Sequence, residues 1–172
     1  MSETYERITD SEFVCACDAC KNICQRNPGW PTPEEARLAI EAGYANRYMK
    51  DWFERWTDEG DADPIYIICP ASEFHEGQLA PDFPDGIDGI FAAISGWTKG
   101  PCVLHDASGM CEIHDSGFKP LQCRQALGCS AEEQLFYKEG KDSRAWNKEM
   151  ADKWDTDEGR AVVRLWEAAN QK

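Results

Sequence analysis

Residues 15–24 read Cys15-Ala16-Cys17-Asp18-Ala19-Cys20-Lys21-Asn22-Ile23-Cys24, and four thiols in ten residues set the terms for the whole chain. The chain carries nine cysteines; a looser group follows at Cys102, Cys111, Cys123 and Cys129, and Cys69 stands alone between the two. Thiolate is the softest side-chain ligand and suits zinc, copper(I) and iron–sulfur centres. Two-residue spacing lets the sulfurs of Cys17 and Cys20 reach one ion, because the turn between them exposes backbone N–H groups that stabilise thiolate. A chain built on such ligands is expected to fold around a small, irregular, metal-organised core.

Disulfides are the main alternative. The stretch Met1–Asp10 is polar and acidic, without the basic and apolar regions of a secretory signal. No run approaches the roughly 18 apolar residues of a membrane span. An odd cysteine count leaves one thiol over in any fully bridged scheme. These features point to a cytoplasmic protein with no membrane segment, where structural disulfides are disfavoured.

The formal net charge is −14 over 172 residues. Direct binding to nucleic acid or an anionic membrane needs a basic footprint, so neither is expected. The acidity suits a solvated surface, or a protein partner of basic character. At this length the chain is one domain, or one domain with an appendage. The division expected is a cysteine-cluster metal-binding domain over 1–130, with a C-terminal helical extension over 131–172 packed on it.

After the first thiol group, Pro28, Gly29 and Pro31 mark a loop. Thr32-Pro33-Glu34-Glu35 then announces a helix with a capping box, ended or interrupted at Gly43. Tyr44, Tyr48, Trp52, Phe53 and Trp56 suggest a second helix with an aromatic core face. Asp58–Pro64 reads as an acidic turn, since the calcium-loop order is missing. Pro64–Pro70 is the best strand, with Cys69 as a buried apolar thiol. Ala71–Gly89 is loop-rich and could cover a site. Asp82, Asp85 and Asp88 read as solvated acids. Pro120 opens a short helix carrying Cys123 and Arg124. Trp146, Met150 and Trp154 predict one late helix. Val162, Val163, Leu165 and Trp166, after Asp155–Glu158, predict another.

Within the second group, Cys102-x2-His105 and Cys111-x2-His114 flank Asp106-Ala107-Ser108-Gly109 and read as a short β-hairpin. A Cys2His2 zinc site is conceivable. Residues three apart on a regular strand point to opposite faces, so either the hairpin is bulged or the histidines are not ligands. His75 is a weaker candidate. The fold class expected is α+β and mostly helical, with a short β-hairpin and C-terminal helices.

The run Cys17-x2-Cys20-x3-Cys24, Asn27-Pro28-Gly29-Trp30 and Pro33-Glu34-Glu35 resembles the start of the CxxCxxCC zinc- or iron-chelating domain family, the YkgJ-like cysteine-cluster proteins. Cys102-Val103-Leu104, Cys111-Glu112-Ile113-His114, Lys119-Pro120 and Cys123-Arg124 resemble that family's later motifs. The likeness spans roughly Cys15 to Cys129. It implies that Cys17, Cys20, Cys24, Cys102, Cys111 and Cys123 converge on one metal centre, and that His114 is not an obligate ligand. The chain departs from the pattern in lacking an adjacent Cys-Cys pair and in carrying Cys15 and Cys129, so the ligand number stays open, with Cys129 a further candidate.

Arg124, directly after Cys123, is the expected cofactor-side cation: it can offset thiolate charge, bind an anionic group beside the metal, or form an ordinary surface ion pair. Zinc, iron and an iron–sulfur cluster all remain open as the cofactor. No phosphate loop, nucleophile elbow or HExxH motif competes. Two functions follow: a redox or modification enzyme component built on the metal, or a non-catalytic zinc-stabilised acidic interaction module.

Overall fold

Thr32 and Glu35 cap a helix as the sequence predicts. In the computed structural model, which describes Asp18, Lys21, Asn22 and residues 28–53, 64–72, 101–125 and 143–171, helix α1 spans Pro33–Ala39. The Thr32 hydroxyl accepts from the Glu35 N–H at 3.3 Å, and the Glu35 carboxylate accepts from the Thr32 N–H at 2.8 Å. Pro33 needs no amide partner at the first helical position. The helix runs on as a π-turn at Ile40–Tyr44 and a 3-10 turn at Ala45–Arg47. Gly43, at φ 95°, takes the left-handed conformation that breaks the helical run.

The chain then forms strand β1, Tyr48–Phe53, antiparallel to β2, Ile65–Pro70, with Tyr48 opposite Pro70 and Phe53 opposite Ile65. Residues 48–53 were expected to be helical, and this corrects that expectation. Tyr48 and Trp52 are four apart, and four is a multiple of two, so they share a strand face as readily as a helix face. The β-branched β2 supplies the pairing edge, and tertiary pairing overrides the helical reading. Tyr48, Met49, Asp51, Trp52, Ile67, Ile68 and Cys69 are all buried, so the strand pair is covered on both sides. A lone two-stranded hairpin is marginal in water and needs such cover.

The cover comes from the chain's end. Helix α2 spans Leu121–Gln125, α3 Ser143–Trp154 and α4 Asp157–Asn170. Thr156 caps α4 by accepting from the Gly159 N–H at 3.1 Å. Met150, Trp154, Val162 and Trp166 join Trp30, Ile40, Tyr48 and Ile67 in one apolar cluster. Leu165, expected in that patch, lies on the outer face of α4 at 38% exposure. The indole N–H of Trp154 donates to the Pro31 carbonyl at 2.9 Å, just before α1. That of Trp166 donates to the carbonyls of Ala45 and Tyr48 at 2.9 and 3.0 Å, just after it. Buried indoles need such partners, and here the partners are the two flanks of α1. The fold is thus α+β and mostly helical, and its C-terminal helices belong to the same core. No described helix is long and apolar enough to cross a membrane.

Glu35 does more than cap α1. Its carboxylate also accepts from the Leu121 N–H at 2.9 Å and pairs with the Arg124 guanidinium. Beside it, the Trp30 N–H donates to Gln122 Oε1 at 2.8 Å and the Gln122 N–H returns to the Trp30 carbonyl at 3.3 Å. The entry to α1 and helix α2 are one joined unit. Glu35→Ala leaves donors of both elements unsatisfied, so it should cost about 2–4 kcal/mol in urea unfolding. Arg124→Gln should cost about 1 kcal/mol or less, because that guanidinium is partly exposed. Equal costs for the two would show that the carboxylate matters only as Arg124's partner.

Asp51 is fully buried, with one carboxylate oxygen accepting the Trp52 N–H at 2.8 Å and the other without a hydrogen-bond partner among the described residues. Burial pushes its pKa up to about 7 from 3.8, against a smaller lowering by the Trp52 N–H. The folded state therefore holds this proton more tightly than the unfolded state. The resulting penalty is absent below about pH 4 and grows as pH rises through about 7. Asp51→Asn should raise the melting temperature at pH 8 more than at pH 5; an equal change at both would show that Asp51 ionises freely.

Candidate metal centre

The segment 101–120 is built from tight turns. The His105 N–H donates to the Cys102 carbonyl at 2.9 Å, and the His114 N–H donates to the Cys111 carbonyl at 2.9 Å. Each Cys-x2-His unit is therefore a turn of four residues, not a stretch of strand. The expected hairpin of 102–114 survives only as a single bridge, His105 with Cys111, and Ser72 makes a separate bridge to Cys102. Turn geometry also removes the objection that residues three apart on a strand diverge. At the tip, Asp106 Oδ1 accepts from the Ser108 N–H at 2.8 Å, the Ser108 hydroxyl at 2.6 Å and the Met110 N–H at 3.0 Å. These bonds, the Ser108 hydroxyl first, hold the Asp106 carboxyl below the ordinary range. Gly109 supplies the positive φ, 83°, that the turn requires.

The segment is seated on the strand pair. The Val103 N–H donates to the Ala71 carbonyl and the Ala71 N–H to the Arg47 carbonyl, both at 3.0 Å. The Arg47 guanidinium pairs with Glu112 and donates to the Val103 carbonyl. The Tyr44 hydroxyl reaches Glu112 at 3.2 Å. Glu112 follows Cys111 directly, so these bonds fix where that thiol sits.

Cys102, His105, Cys111 and Cys123 line one small cavity, together with Gly29, Pro70, Leu104 and Pro120. Its free volume is about 10 Å³, room for one water-sized occupant. His105 Nε2 is buried without a hydrogen-bond partner among the described residues. A buried imidazole nitrogen ordinarily finds one, so this atom fits a ligand role. Gly29 forms the wall beside Cys123: a Cβ on Gly29 would overlap Cys123 Sγ and stand 3.2 Å from its backbone nitrogen. Among the described residues no three His, Cys, Asp or Glu side chains are grouped to hold one ion. The cavity gathers thiols and an imidazole, and those side chains alone do not close a coordination sphere.

Cys15, Cys17, Cys20, Cys24, Cys129 and His75 lie outside the described residues, as do Asp58–Ala62, Asp82, Asp85, Asp88 and Trp56. Lys21, between Cys20 and Cys24, is described, and its Cδ lies 3.4 Å from where a Cβ on Gly109 would stand. His114 turns to Lys119, with Nδ1 2.9 Å from the ammonium; burial first and Lys119 second lower its pKa. Arg124 is directed to Glu35 and, through Nε at 3.1 Å, to the Lys119 carbonyl. Its contact is thus with the carboxylate that holds α2. Cys69 is a buried free thiol whose pKa rises well above the usual value, through burial first and then Asp51.

Sequence reasoning passed over Tyr48 and Gly29. Tyr48 is fully buried, and its phenol pKa is pushed up by burial and then by Cys102, Cys123, Cys69 and Cys111. The aromatic spacing marked it only as core. Gly29 was visible as a loop residue, but its contact with a residue more than ninety positions on has no sequence signature.

No family model, curated protein or solved structure matches the chain. Gly29→Ala should destabilise the protein by about 1–3 kcal/mol in denaturant titration, because the added methyl meets both the sulfur and the backbone of residue 123. A wild-type midpoint would show that α2 shifts aside without cost.

Proposed function

We propose that the chain is a metal-binding protein whose cysteines from both halves hold one centre, in the manner of the YkgJ-like cysteine-cluster proteins it resembles. The observation that carries the reading is the cavity lined by Cys102, Cys111, Cys123 and His105, whose Nε2 is buried without a hydrogen-bond partner among the described residues. Two contacts support a contribution from the N-terminal thiols. Gly29, five residues past Cys24, lies against Cys123, and Lys21, directly after Cys20, lies beside the Gly109 turn. Successive Cα atoms are about 3.8 Å apart, so Lys21 brings the Cys17–Cys24 segment within reach of the same end of the fold. Cys17, Cys20 and Cys24 are the natural completing ligands, with Cys129 as a further one.

A single zinc or iron ion and an iron–sulfur cluster all suit thiolate ligands. Zinc takes four N or S ligands in a tetrahedron. The cavity side chains do not meet that demand alone, and thiols of the Cys17–Cys24 segment would complete it. A bound zinc would supply cross-linking and, with an open position, Lewis acidity; iron would add redox chemistry. The protein's own part is to present thiolates on turns, to exclude water with Leu104 and Pro70, and to hold Cys123 in place through α2. The acidic surface favours, as a second reading, a metal-stabilised module that docks a basic partner.

A centre joining residues near 20 to residues near 111 would close a loop of about ninety residues and stabilise the fold by roughly 4–5 kcal/mol on chain entropy. Element analysis after anaerobic purification should find near-stoichiometric zinc or iron, and Cys111→Ser should lower both metal content and melting temperature. A colourless protein with zinc favours the module, and absorbance near 400 nm favours a redox centre. A metal-free protein whose melting curve ignores added zinc and iron would overturn the reading.

A further inference from the structure

Tyr48 is a buried donor on the strand pair that the metal reading leaves unused. It is fully buried, and its hydroxyl has no hydrogen-bond partner among the described residues. Its strand position fixes its direction: Tyr48 pairs with Pro70, and Pro70 lines the cavity with Cys102, Cys111 and Cys123. Ser72, two residues past Pro70, bridges to Cys102. Two further bonds pin the backbone here, since the Tyr48 carbonyl accepts the Trp166 indole at 3.0 Å and the Arg47 carbonyl accepts the Ala71 N–H at 3.0 Å.

A buried hydroxyl left without a partner is costly, and a phenylalanine would fill the same space without that cost. A phenol beside thiolates has a clear use, because O–H donates to S⁻ and thiolate ligands are tuned by such bonds.

We propose that the Tyr48 hydroxyl is a positioning and tuning residue for the centre, donating a hydrogen bond to a metal-bound sulfur of the Cys102, Cys111 and Cys123 group. This inference rests on the metal reading above. The bond withdraws electron density from the sulfur, which makes the metal-bound thiolate less reactive toward electrophiles and the centre easier to retain. In the metal-free chain the same hydroxyl only carries its desolvation cost. Tyr48→Phe therefore has opposite effects in the two states, a signature that a packing role does not give.

The test uses the full chain, stripped of metal and titrated with Co(II) as the probe. Wild type should show a sulfur-to-cobalt charge-transfer band. Tyr48→Phe should bind Co(II) about 10–100-fold more weakly in chelator competition, with that band moved to lower energy, while its metal-free melting temperature is unchanged or higher. Equal affinity and an unmoved band would overturn the role of Tyr48 and leave the metal centre standing. An equal drop in melting temperature with and without cobalt would overturn it too, in favour of packing. Absence of any thiolate-to-cobalt band in wild type would overturn both. Should Tyr48→Phe fail to fold, 2,3-difluorotyrosine at position 48 keeps the ring and strengthens the donor; the band must then move to higher energy, and a static band overturns the role.

Discussion

One buried carboxylate holds the architecture in register. Glu35 accepts from the backbone at the start of α1, from the backbone at the start of α2 and from Arg124. Helix N-termini present unsatisfied N–H groups with partial positive charge, and a single anion placed between two of them satisfies both. Everything at the candidate centre follows from that junction. With α2 docked, Cys123 meets Gly29, Pro120 walls the cavity, and the turns of 101–114 have a surface to close against. The ion pair with Arg124 completes the charge balance of a group that water barely reaches.

The strand pair is the second half of the frame. Its short length makes it dependent on cover, and its cover is aromatic: Trp154 and Trp166 pack on it while their N–H groups satisfy carbonyls at either flank of α1. The same indoles thus serve burial and hydrogen bonding. Glu112 and Arg47 do for the turn segment what Glu35 does for α2, fixing a thiol by holding its neighbour in the chain.

How much of this was legible in the sequence differs by residue. The capping box, β2, α2, α3 and α4 could be read because each rests on local chemistry: a cap, a β-branched run, a proline, an apolar period. Strand β1 could not, because an aromatic every fourth residue satisfies both periodicities and only pairing with β2 decides between them. The Cys-x2-His units were visible as motifs, but whether they were strand or turn depended on backbone bonds to their own carbonyls. Cysteine spacing pointed to a centre, and three of the second-half thiols line one cavity. The contacts that build its walls, Gly29 with Cys123 and Glu35 with Leu121, join residues that nothing local connects. For Arg124 the sequence left open a cation offsetting thiolate charge, an anion binder and an ordinary ion pair; a helical residue one step past Cys123 faces about 100° away, and Glu35 lies in that direction.

The long span of these ties bears on how the chain acquires its shape. The bonds that seat the start of α1 run to partners 86, 92 and 123 residues further along, and the one that holds the head of β1 runs 118. Such non-local closure slows folding, because loop entropy must be lost before any of these bonds forms. During synthesis the first half, with its cysteine-rich window, emerges well before Trp154 and Trp166 exist. A nascent chain in that condition holds exposed thiols and an uncovered sheet face at once, and is exposed to oxidation and to association until α3 and α4 arrive.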